Sequence, residues 1–177
     1  GYWEMSSQAQ GRILFVDDEP QLLAAIKRNL RRSFNIETAE SGAEGLKMIK
    51  RGEPFSVVVS DMQMPEMNGS EFLGKVRKIS PDTIRIMLTG DAGQKTAVSA
   101  INKAEVFKFV NKPCNAKTLE SVLHSALQEF DRIQLEHSIL EKTVQGSIGM
   151  MTEVLALAMP EVFGRSIKIE EAAEEIA

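Results

Sequence analysis

Cysteine, histidine and the large aromatics are scarce in this chain. The 177 residues hold one cysteine, two histidines, one tryptophan and one tyrosine. Cys114 alone excludes an internal disulfide, and His124 and His137 are too few and too far from it for a Cys/His metal cluster. A reducing cytoplasm is the expected location. No apolar run approaches the roughly 18 residues needed to span a bilayer. The start, Gly1-Tyr2-Trp3-Glu4-Met5, has no apolar segment of the signal-peptide kind. No membrane partner is therefore expected. Net charge is −4, which argues against a general nucleic-acid coat and leaves room only for a local basic patch.

What is present is ordinary globular material, 43% hydrophobic and 26% charged. Residues 1–10 are set aside as an N-terminal extension, with Met5 a candidate natural start and the residues before it vector-derived. From residue 12 to 113, short apolar runs alternate with amphipathic stretches. Ile13-Leu14-Phe15-Val16 reads as a strand covered on both faces. Pro20 opens a helix carrying Leu22, Leu23, Ile26 and Leu30. A strand follows near Ile36 to Ala39, then an S-x-x-E capping pair, Ser41 and Glu44, ahead of Leu46 and Ile49. Phe55 to Val59 is the third strand. Asn68 and Glu71 cap a helix with Phe72, Val76 and Ile79. Ile84 to Leu88 is the fourth strand, Asp91 caps a helix with Ala97, Ala100 and Ile101, and Val106 to Val110 is the fifth strand. Alternating strands and helices at this spacing imply a five-stranded parallel sheet with helices on both faces.

Open parallel sheets bind ligands at the carboxyl ends of their strands. Those ends carry Asp17-Asp18, Ser60-Asp61, Thr89-Gly90 and Asn111-Lys112-Pro113. Three carboxylates gathered at one edge repel unless a cation joins them. Oxygen donors favour Mg²⁺, which bridges readily to phosphate oxygens. Such an ion suits phosphoryl transfer to an aspartate. Lys112 would pair first with the carboxylate and then with the phosphoryl group, and Thr89 would donate its hydroxyl. Taken singly, Asp17 and Asp18 could cap a helix, Asp61 could precede a turn, and Lys112 could be solvated. Their joint placement at one edge favours a site.

Asp17-Asp18 after an apolar strand, Asp61 followed by Met64-Pro65 and Gly69, Thr89-Gly90 and Lys112-Pro113 together resemble the receiver domain of two-component response regulators. The resemblance covers about residues 11–128. It implies a doubly wound, flavodoxin-like α/β fold with strand order 2-1-3-4-5. It implies that Asp61 accepts a phosphoryl group from a sensor histidine kinase or phosphotransfer protein. By the same resemblance, Mg²⁺ is held by Asp17, Asp18, Asp61 and the backbone carbonyl of Gln63. Thr89 and Phe109 would move together on activation. Phe109 departs from the tyrosine common at that position and has no hydroxyl to offer. Gln63 and Asp91 would flank the attacking water and tune the lifetime of the phosphorylated state.

Residues 114–145 contain no glycine or proline, and Leu123, Ala126, Phe130, Ile133, His137, Leu140 and Val144 alternate three and four apart. That pattern reads as one long helix. Residues 129–146 are expected to be a coiled-coil-like linker that makes a homodimer, and 147–177 the helical start of a truncated output domain, with a self-contained helical tail as the alternative. From 115 to 177 five basic groups face eleven acidic ones, a net of −6, against a nucleic-acid partner. The stretches Leu140 to Ser147 and Leu155 to Ser166 resemble the opening of HD-type helical output domains. No His-Asp pair occurs, and Ser166 stands where a first histidine ligand is common. The expectation is an output domain cut short. Two other classes stay in view. One is an Mg²⁺ phosphatase working through an aspartyl-phosphate, disfavoured by Gln63 where a second aspartate is usual. The other is a dimerisation module with a vestigial site.

Overall fold

The computed structural model describes residues 11–90 and 105–158. Two units are distinguished, with the division after Ile133. In the first unit the strands are β1 (Arg12–Val16), β2 (Asn35–Ala39), β3 (Val57–Asp61), β4 (Ile84–Thr89) and β5 (Lys108–Asn111). The helices are α1 (Pro20–Leu30), α2 (Gly42–Lys50), α3 (Gly69–Ile79) and α4 (Ala116–Ala158), the last continuing into the second unit. All strand pairs are parallel, and the order is β2-β1-β3-β4-β5. This is the doubly wound, flavodoxin-like architecture that the alternating runs predict.

The apolar strands are continuous because both sheet faces are covered. Successive residues point to opposite sides. Ile13, Phe15, Val59 and Ile86 pack with Leu23 and Leu30 of α1 and with Leu119, Leu123 and Ala126 of α4. Leu14, Val16, Val58 and Met87 pack with Ile49 of α2 and with Phe72, Leu73 and Val76 of α3. Each fully buried side chain of this size contributes about 1.5–3 kcal/mol.

The predicted caps at Ser41 and Asn68 form. Ser41 Oγ accepts from the Glu44 amide at 3.1 Å, while the Glu44 carboxylate accepts from the Glu40 amide rather than that of Ser41. Asn68 Oδ1 accepts from the Glu71 amide at 2.8 Å. Two strands start two residues later than the apolar runs, β3 at Val57 and β5 at Lys108. The residues just before them are already bonded to the neighbouring strand: the Ser56 amide donates to the Arg12 carbonyl, and the Phe107 amide to the Arg85 carbonyl. The helix expected after Asp91 lies outside the described residues.

The predicted seam of α4 divides in use. Leu123 and Ala126 are buried in the first unit, and Phe130 and Ile133 pack partly against the same core. Leu140 and Val144, in the second unit, are exposed. Among the described residues no helix is long and apolar enough to cross a membrane.

Candidate functional site

Asp17 and Asp18 follow the last residue of β1, Asp61 ends β3, Thr89 ends β4, and Lys112 follows β5. Parallel pairing in register brings these ends to one edge: Val16 pairs with Ser60, Asp61 with Leu88, and Thr89 with Asn111. A carboxylate oxygen from each of Asp17, Asp18 and Asp61 lies within 4.8 Å of the others. Asp17 and Asp61 are buried and Asp18 is exposed.

Lys112 joins the buried pair. Its Nζ donates to Asp17 Oδ2 at 2.8 Å and lies 3.2 Å from Asp61 Oδ1. The shorter contact is to Asp17, a partner that sequence reasoning did not assign. Asp17 Oδ1 also accepts from the Glu19 amide at 3.0 Å, so this carboxylate both anchors the turn into α1 and holds the lysine. Burial pulls the Lys112 pKa down, but the hydrogen bond and attraction of Asp17, then of Asp61, outweigh it and leave it raised. Burial, aided by Asp17 and Asp18, holds the Asp61 pKa above the ordinary carboxylate value despite Lys112. A carboxylate so placed gains from a further cation. Three hard oxygen donors with one open to solvent fit Mg²⁺, which keeps several of its own waters.

Thr89 is buried, and its Oγ1 donates to Asn111 Oδ1 at 3.3 Å. Its carbonyl accepts from the Lys112 amide at 2.7 Å, tying the end of β4 to the lysine. Asn111 is thus a neighbour of the site that apolar patterning could not reveal. Phe109 is half-buried and packs against the cluster containing Met87, its partner across β4 and β5. Gln63 is exposed on the loop after Asp61, and Asp91 lies outside the described residues.

That loop is shaped from beneath. Gly69 opens α3 so close to the Asp61 carbonyl oxygen that a Cβ there would overlap it, and the same Cβ would crowd Met87 Sδ. The Gly69 amide donates to the Met62 carbonyl at 2.8 Å, and Glu66 takes the left-handed conformation at φ 67°. The Lys112–Pro113 peptide is cis.

The family model described as Response regulator receiver domain matches residues 13–124. The chain belongs to that family. It is therefore a module of phosphorylation-dependent signalling, of the kind that takes phosphoryl groups from sensor kinases. It is 35% identical over 124 residues to the transcriptional regulatory protein GlrR of Escherichia coli, covering 70% of this chain and 28% of GlrR. The chain spans 28–30% of the length of the first curated relatives it matches. Among solved structures, an adenylate cyclase from Rhodopirellula baltica is 41% identical with TM-score 0.72, covering 75% of this chain and 98% of that one. The signal receiver domain of an HD domain-containing protein from Pseudomonas fluorescens is 27% identical with TM-score 0.66, covering 70% and 98%.

Proposed function

We propose that Asp61 is the phosphoacceptor and that Asp17, Asp18, Asp61 and the Gln63 backbone carbonyl hold Mg²⁺. The observation that carries this reading is one ammonium, Lys112, shared between two buried carboxylates with a third beside them. An oxygen of the Asp61 carboxylate attacks phosphorus in a phosphohistidine of a sensor kinase or phosphotransfer protein. The new O–P bond forms as the P–N bond breaks, and the electron pair leaves with the imidazole. When bound, Mg²⁺ neutralises charge on the transferring oxygens. Lys112 moves its second hydrogen bond from the carboxylate to a phosphoryl oxygen. Thr89 exchanges Asn111 for another phosphoryl oxygen, and Phe109 follows Thr89. Gln63 sets the rate of hydrolysis from the exposed loop, a role shared with Asp91.

The helix from Ala116 onward relays the state to a dimer partner or to an output domain. For the output we favour an HD-type helical domain. Support comes from the stretches Leu140 to Ser147 and Leu155 to Ser166, and from the likeness to the Pseudomonas receiver. GlrR, by its name, acts in transcription, but the match reaches only 28% of it, so the likeness carries the receiver and not the output.

Incubation with Mg²⁺ and a small acyl phosphate tests the reading. Intact-mass measurement should show a gain of about 80 Da, one phosphoryl group, on Asp61. Asp61→Ala should show none. An equal gain in that variant, or steady phosphate release from unrelated esters, would overturn the assignment.

A further inference from the structure

We infer that residues 137–155 form a straight self-association seam that pairs with a second copy of this chain through Leu140, Val144, Ile148, Met151 and Leu155. At 100° per residue these five and His137 fall within about 40° of one line along the helix. Leu135 and Ile139 fall on the opposite side. The five side chains are 48–69% exposed.

The spacing is the informative part. A strict heptad continued from Leu140 and Val144 would next use Ser147, Met151 and Val154. The apolar row instead steps from Val144 to Ile148 and from Met151 to Leu155. From His137 to Leu155 the repeat averages about 3.6 residues per turn, the value of an undistorted helix and not the 3.5 that winds a left-handed coil. The paired helices therefore stay side by side without a supercoil along this stretch.

A second copy is the occupant that chemistry favours. The row carries no Asp, Glu, Lys or Arg. The charged residues of the stretch, Glu141, Lys142 and Glu153, all lie off it. Two glutamates against one lysine suit no lipid surface, which wants a basic polar face. The row leaves roughly 500 Å² of apolar surface, near the upper limit for a monomer. Two copies face to face, with Val154 at the margin, would bury on the order of 1,000 Å², enough for a specific interface. An uncharged row is also complementary to itself, as a two-fold contact requires.

This inference does not rest on the phosphoacceptor reading. Sedimentation equilibrium of the 177-residue chain tests it. The wild type and Asp61→Ala should both be dimers at micromolar concentration. Ile148→Glu and Val144→Glu should weaken association about 100-fold or more, as a charge at the centre of an interface does, with helix content unchanged by circular dichroism. Leu135→Glu and Ile139→Glu should remain dimeric. A monomeric wild type at the highest concentration reached would overturn the proposal, and would assign the row to another part of the chain or a different protein. Dissociation by Val154→Glu but not by Ile148→Glu would replace the straight seam with the heptad.

Discussion

Replacing Asp61 with Asn should stabilise the metal-free protein, although it removes a partner of Lys112. The two other carboxylates lie within 4.8 Å of Asp61. At an effective dielectric of about 20, buried Asp17 repels it by roughly 3.5 kcal/mol, and exposed Asp18, screened by solvent, by less. Lys112 at 3.2 Å attracts it by roughly 5 kcal/mol. The charges around Asp61 therefore nearly offset one another, and its burial is what weighs against the ionised form. Urea unfolding at neutral pH with a chelator should place Asp61→Asn about 1–2 kcal/mol above the wild type, the cost of keeping a buried carboxylate ionised. The advantage should shrink as pH falls. The folded-state pKa of Asp61 is raised, so its protonated form suits the fold, and the wild type loses stability as pH rises through that value. Saturating Mg²⁺ should reverse the order. A ligand at 100 times its Kd adds about 2.7 kcal/mol to whichever protein binds it. A variant less stable than the wild type in chelator would show that the Lys112 attraction dominates, and would refute the account of Asp61 as a carboxylate whose burial outweighs its ammonium partner.

Lys112→Ala leaves two buried carboxylates without their ammonium and should cost about 1–3 kcal/mol in chelator by urea unfolding, with part recovered on adding Mg²⁺. The Lys112 contribution should be complete below the ordinary lysine value of 10.5 and disappear as pH rises through the raised folded value. Gly69→Ala pushes a methyl group into the Asp61 carbonyl oxygen and should cost about 2–4 kcal/mol in the same assay, while slowing phosphoryl uptake. Gln63→Ala should change the dephosphorylation rate without changing stability by more than about 0.5 kcal/mol, since Gln63 is exposed; an unchanged rate removes it from the hydrolysis step.

The strands were legible because the sheet is covered on both faces. Ile13 to Val16 reads as an unbroken apolar run and Ile84 to Leu88 as one broken only by Arg85, and the structure buries all of them. The caps at Ser41 and Asn68 were legible because their partners lie three residues away, within reach of local pattern. Strand starts were less so, because they depend on pairing with a distant strand and not on local polarity. Phe55 is as apolar as Val57, yet β3 begins at Val57. The same holds at the site. Residue types at strand ends mark the carboxylates and the lysine, but not that Lys112 sits nearer Asp17 than Asp61. That choice is made by the register of β1, β3 and β5, separated by 95 residues between the two partners. Nor does pattern reveal Asn111 as the partner of Thr89, since a polar residue after a strand has many uses.

Under the proposed mechanism, the ends of β4 and β5 are where charge becomes movement. Thr89 and Lys112 are bound to each other through the backbone and to the site through their side chains. Phosphorylation replaces a singly charged carboxylate with a group of about −1.5 to −2. The contact of Lys112 at position 61 then passes from the carboxylate to a phosphoryl oxygen while its bond to Asp17 is kept, and Thr89 loses Asn111 and turns inward. Both changes act on the same pair of strand ends, with Phe109 two residues from Asn111 on β5. A hydrogen bond of 3.3 Å from Thr89 to Asn111 is long and inexpensive to break, whereas the 2.8 Å pair of Lys112 with Asp17 is not. The threonine therefore yields first, and the lysine remains the fixed point about which the edge rearranges.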